Sequence, residues 1–148
     1  MTASLHESDF FSWSMEQAVL LKSGRLSEID VDLLAEEVED MGKEIRNACF
    51  SFIRHILEHF LKLRYSAFDH TENHWRIEIA NFRIELEQRL TKSIANQIEL
   101  DALYRQARRL AITGMREEKT FAARLPALCP WTLDQVRDED YWPDREAP

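Results

Sequence analysis

Two imidazoles and a carboxylate fall close together at His55-Ile56-Leu57-Glu58-His59. On an α-helix, residues four apart face the same way, so His55 and His59 could bind one divalent metal such as zinc. The spacing is that of the inverted zinc-protease motif, in which the Glu between the histidines acts as general base. It would make the chain a metal-dependent hydrolase. A third ligand is still required. Glu37 and Glu44 lie along the same edge but several turns earlier, so His74 or a carboxylate from another helix would have to close the site. A match this short also arises easily by chance. The preferred reading needs no cofactor: His59 is a core histidine with a satisfied hydrogen bond, and His55 is a border residue.

Glu36, Glu37, Glu39 and Asp40 form a second cluster. Glu36 and Asp40 are one turn apart and could share a cation. Helical di-metal sites, however, draw on ExxH motifs from other helices, and this sequence has none. A solvated acidic face able to meet basic partners is the simpler reading. Arg105, Arg108 and Arg109, with Arg116 and Lys119 nearby, are the one local basic concentration. Nucleic-acid binding calls for a wider patch or interleaved aromatics and is not expected. Charge pairing with the N-terminal acids, within or between chains, is preferred. There is no GxSxG, no Gly-rich loop and no GKS or GKT, so the nucleophile and phosphate-loop chemistries lack their motifs.

The stretch that must position these groups is 30–63. Leu34, Val38, Met41, Ile45, Ala48, Cys49, Phe52, Ile56, Phe60 and Leu63 recur at steps of three and four, one apolar stripe on one helix. The stripe keeps its phase across Gly42, which predicts a single helix roughly 50 Å long at 1.5 Å per residue. Before Gly42 the opposite face is acidic. After Arg46, Phe50, Ile53, Leu57 and Leu61 make the helix apolar almost all round, as in a helix buried among others. Residues 45–63 are therefore the expected central strut, where a charge at Phe52 or Ile56 should be ruinous.

Around it the sequence predicts an earlier helix capped by Ser8 or Asp9 and stopped at Gly24, with Asp30 capping the central helix. Residues 65–73 read as a loop. A third helix carries Trp75, Ile79, Phe82, Leu86 and Leu90 on one face and Ile77 and Ile84 on the other. A fourth runs from about Ile98 to Thr113 with Gly114 as its stop. A short last helix opens with a capping box between Thr132 and Gln135. The tail is acidic, with Tyr141 and Trp142 to dock it and partial disorder expected from about residue 138.

With 148 residues, 45% apolar and 31% charged, the expectation is one soluble all-α domain over 1–148, a compact bundle of about five helices around a long central one. Three Gly and four Pro favour long helices over many turns. No apolar run approaches the roughly 20 residues that span a bilayer. The first ten residues have neither a basic start nor an apolar core, so no secretory signal and a cytoplasmic location are expected. Charge is uneven: residues 1–44 hold 11 acids and 3 bases, residues 45–125 hold 14 bases and 10 acids, and residues 126–148 hold 6 acids and 2 bases. Cys49 and Cys129 lack CxxC spacing and are expected to be reduced thiols.

Four blocks, in order, resemble the bacterial family catalogued as domain of unknown function 29. They are DFFSWSMEQAVLLKSGRLSEIDVDLLAEEVEDMG, HFLKLRY, YRQARRLA and CPWTLDQVRDEDYWP. The resemblance implies a compact all-helical domain and carries no catalytic residues with it. Its HFLKLRY block accounts for His59 but not for His55. The functional expectation is a non-enzymatic interaction or self-association module, most simply a homodimer. Ile77 and Ile84 form a ridge to be covered by a second copy or by the C-terminal segment, and Glu36, Glu39 and Asp40 offer an acidic contact.

Overall fold

A computed structural model describes residues 4–67 and 70–146. Among them every regular element is helical. The order is α1 (Leu5–Ser8), α2 (Phe10–Lys22), a 3-10 turn (Leu26–Glu28), α3 (Val31–Tyr65), α4 (Glu72–Arg89), α5 (Lys92–Ala95), α6 (Leu100–Gly114), α7 (Phe121–Arg124) and α8 (Leu133–Arg137). The five expected helices are α2, α3, α4, α6 and α8; the single-turn α1 precedes the first of them, and α5 and α7 fall between the longer ones. No described helix is long and apolar enough to cross a membrane. The chain divides into two compact units, with the boundary between Glu44 and Ile45 inside α3.

The first unit is held by polar bonds more than by a core. Asp9 accepts the Ser12 N–H at 3.0 Å and so caps α2. Gly24, at φ 73°, takes the left-handed turn that stops it. Asp30, expected to cap the central helix, ties its start back to α2. Its carboxylate accepts Trp13 Nε1–H at 2.6 Å and Gln17 Nε2–H at 3.3 Å, while Gln17 Oε1 accepts the Asp30 backbone N–H at 2.8 Å. His6 sits edge-on to Trp13 and reaches Glu37 at 2.8 Å. Trp13 and Leu20 are the apolar residues buried in this unit.

The second unit closes around α3. Ile53, Ile56, Leu57, Phe60 and Leu61 are all fully buried, as a helix apolar on every side requires. Trp75, Ile79 and Leu86 of α4, Leu103, Tyr104, Ala107 and Ala111 of α6, then Phe121, Trp131 and Val136 complete the core. Phe52 was expected deep in this strut but is only half-buried. It lies at the margin, with the Phe82 ring 6.2 Å away and the Arg89 guanidinium over its face. Ile56 is therefore where an introduced charge has no exit.

The α4 stripe also differs from its pattern. Phe82 is half-buried and Arg83 lies inside, 5% exposed. Arg83 donates to the carbonyls of Val136 (2.9 Å), Gln135 (3.1 Å) and Tyr141 (2.8 Å), with Phe60 and Trp142 against its guanidinium. It thereby answers the carbonyls freed at the end of α8. Beyond it, Glu146 N–H donates to Arg64 O, Arg64 to Asp144 O, and Arg145 to Ser66 O. These bonds hold the tail through Glu146 at several points.

Candidate functional site

Three of the groups singled out in the sequence lie on the buried part of α3, on α4 and on α6. At the first, His55 Nδ1 lies 3.1 Å from Glu58 Oε2, and Lys62 Nζ lies 3.0 Å from Glu58 Oε1. Lys62 is the next residue along the same edge, at i,i+4 from Glu58. Side chains of Glu58 and Lys62 are each 12% exposed. Burial works to raise the Glu58 carboxyl, but the bond and charge of Lys62, with His55 behind them, outweigh it and hold the group below its ordinary value. Gly114 makes room for this ammonium: a Cβ there would stand 3.2 Å from Lys62 Nζ. α6 does end at Gly114, but without the left-handed turn expected of a stop, since only Gly24 has positive φ among the described residues.

His59 sits beside this pair in a different state. Its Nδ1 is buried without a hydrogen-bond partner, so the satisfied bond expected of a core histidine is not made there. Burial first, then the Lys62 charge, push its proton affinity down to about 4, with Glu58 opposing and His55 and His74 adding to the fall. The site is thus a Lys62–Glu58 ion pair with His55 within hydrogen-bond reach of the same carboxylate, flanked by the neutral imidazole of His59. Among the described residues no group of three His, Cys, Asp or Glu side chains is placed to hold a metal ion. The carboxylate that would serve as base is engaged by Lys62.

This arrangement has a pH consequence. The unfolded imidazole, at its ordinary 6.5, takes a proton at pH values where folded His59 stays neutral. His59 therefore contributes stability that is fully present above about pH 6.5 and is lost as pH falls toward 4. The loss is on the order of 3 kcal/mol across that window. Thermal melts between pH 7 and 4.5 should show a downward slope in wild type that is much reduced in His59→Gln. Equal slopes would place the responsible group elsewhere.

The second place is the α4 ridge. Ile77 and Ile84 are 54% and 57% exposed. Ile84 borders a cleft of about 610 Å³ with Ala80, Arg83, Glu87 and Trp142 among its walls. The C-terminal segment, one of the two proposed covers, thus packs beside the ridge and leaves both isoleucines open. At the third place Arg105, Arg108 and Arg109 of α6 share one cavity. The acids at Glu36, Glu39 and Asp40 are exposed, with Lys43 3.8 Å from Glu39.

The feature that sequence reasoning missed is the front of α3. Val31, Val38, Met41 and Ile45 are 62%, 65%, 64% and 49% exposed, so the apolar stripe is open before the strut as well as the acidic face opposite it. With Leu34 between them they step by three, four, three and four, a heptad seam carrying Val, Val and Ile at one position and Leu and Met at the other. Val31, Leu34, Ala35 and Val38 also line a groove of about 510 Å³ with Leu21 and Ile29. Of the 15 large apolar side chains exposed among the described residues, 11 lie at or before Ile45. The strict 3-4 alternation was the available signal.

No curated protein matches the chain. Among solved structures, the crystal structure of an alpha-helical protein of unknown function from Rhodospirillum rubrum is similar, with a TM-score of 0.70 and 24% sequence identity over 95% of this chain and 93% of that one. At that identity the likeness bears on the fold. The family model described as Domain of unknown function DUF29 matches residues 5–142, a span that takes in every helix from α1 to α8, and the chain belongs to that family.

Proposed function

We propose that the protein is a self-association module in which the exposed seam of α3 pairs with the same seam of a second copy. One observation carries the reading: in a heptad row on α3, Val31, Val38, Met41 and Ile45 stand exposed around a half-buried Leu34, and the described residues of 1–44 bury only Trp13 and Leu20 as apolar core. β-branched residues at one seam position and Leu or Met at the other suit two-stranded parallel pairing.

The flanks support the same partner. Ala35 and Gly42 lie on one side of the seam and Glu37 and Glu44 on the other. A Cβ on Gly42 would meet nothing within 4 Å, so this chain's own packing does not require its small size. A second helix approaching closely does. In parallel register Glu37 faces the partner's small flank; antiparallel pairing would set acid against acid. Four exposed side chains per copy, each with half to two-thirds of its surface still to be covered, contribute roughly 1–2 kcal/mol each; over two copies this exceeds the smaller estimates of association cost, and micromolar dimerisation is the expected strength.

Light scattering on the full chain at tens of micromolar should give a dimer for wild type and a monomer of unchanged helicity for Val38→Glu with Met41→Glu. Both positions are exposed, so the double variant should still fold. A monomeric wild type ends the proposal. A dimer that survives this pair but falls to Ile77→Glu with Ile84→Glu moves the interface to α4.

A further inference from the structure

Arg105, Arg108, Arg109 and Ile112 fall at i, i+3, i+4 and i+7 of α6, and so share one face. With Thr113 and Ala127 they line a cavity of about 460 Å³ that has three guanidinium groups in its wall and no carboxylate. That is unusual in a chain of 27 acids and 19 bases. Elsewhere Arg25, Arg76, Arg89, Arg137 and Arg145 each reach a carboxylate within 4.0 Å, while Arg46, Arg54, Arg64 and Arg83 bond to neutral oxygens. Among the described residues the three α6 arginines have no such partner, and Arg108 Nε is buried with no hydrogen bond at all.

Arg105 faces Arg108 at i,i+3 and Arg109 at i,i+4, and each such like-charge pair is destabilising by a few tenths of a kcal/mol. The repulsion turns to attraction when a multiply charged anion enters between them. Guanidinium is the side chain best matched to such an anion, because its planar fork gives paired N–H donors to adjacent oxygens. Ile112 and Ala127 supply apolar wall beside the charges, a mixture that suits a small molecule bearing a charged group.

We infer that this cavity is a phosphoryl-binding site, taking inorganic phosphate or the phosphate group of a small ester through Arg105, Arg108 and Arg109. A long polyanion fits less well. The chain carries a net charge of −8, which opposes extended phosphate backbones. The cavity wall also holds no aromatic residue on which bases could stack.

Calorimetric titration of the full chain with inorganic phosphate, phenyl phosphate and a single-stranded 20-mer DNA tests the assignment at about 50 and 150 mM salt. One-to-one binding of a phosphate is expected, weakened at least tenfold in Arg105→Gln with Arg109→Gln. Both of those arginines are exposed, so this variant should keep its fold, and Arg108→Gln provides an independent second reading. Tighter binding of phenyl phosphate would identify an ester as the ligand, and equal binding would identify free phosphate. Lys22→Gln with Lys119→Gln removes the same charge from exposed sites outside the cavity and should leave binding unchanged. Absence of phosphate binding at either salt overturns the inference, as does equal loss in the lysine variant. DNA binding tighter than either phosphate and lost with the same arginines would replace it with a nucleic-acid site.

Discussion

Phe60→Ala should lower the stability of the second unit by about 3–5 kcal/mol, the usual range for removing a buried phenyl ring. Phe60 is fully buried at the point where α3, α4 and the C-terminal segment meet. Trp131 lies edge-on at 5.2 Å, Tyr141 at 5.7 Å and the Arg83 guanidinium at 5.3 Å. These neighbours belong to separate segments fixed by their own bonds, so the cavity is slow to collapse and the upper part of the range applies. At about 2–4 °C per kcal/mol the melting temperature should fall by roughly 10–15 °C. Phe11→Ala, at a ring 72% exposed, should change stability by less than about 0.5 kcal/mol. If Phe60→Ala melts within about 1 kcal/mol of wild type, the core does not close around this ring.

Arg83→Met should destabilise by about 2–4 kcal/mol, since it strands the carbonyls of Gln135, Val136 and Tyr141 together. Burial already lowers the proton affinity of this guanidinium, a sign that desolvation works against the contact. Methionine removes that penalty and keeps most of the stem's packing, which limits the loss. Arg83→Lys keeps the charge but cannot reach three acceptors with one ammonium, and should recover less than half of the difference. Urea melts give the energies. Tryptophan emission should shift red as Trp142 loses the cation at 5.0 Å. A methionine variant as stable as wild type would mean that water or other donors satisfy these carbonyls.

The helices were legible because their signals are local. Asp9 and Gly24 bound α2, Thr132 and Gln135 open α8, and the all-round apolar run from Ile53 to Leu61 marked the buried part of α3. What failed were judgements about which side of a stripe is covered. Phe82 and Arg83 are neighbours on α4, and hydropathy alone puts the ring inside. Three carbonyls from a segment more than 50 residues later reverse that choice, and periodicity carries no trace of them. Val38 and Met41 extend a stripe whose far end is core, and periodicity does not say what covers them. A helix whose two halves lie in different units need not bury both.

The candidate site followed the same rule. His55, Glu58 and His59 do share an edge, as their spacing demands. Spacing could not say that Lys62 engages the carboxylate, nor that burial keeps His59 neutral. For the α6 arginines the sequence showed a concentration of charge, and the absence of carboxylates from the cavity wall is a matter of tertiary placement alone.

α3 begins in a unit with almost no core and ends in one where six of its residues are fully buried. Starting a helix from coil is the unfavourable step, with a nucleation constant of roughly 10⁻³, whereas extending one adds a hydrogen bond for each residue fixed. The buried turns around Ile56 therefore act as a permanent nucleus for the turns from Val31 to Ile45. If the front of the helix frays, it regrows from the anchored end without a new nucleation event. The apolar row on that front is kept as a preformed template, so a partner that docks on it meets a helix already in register rather than one it must first induce.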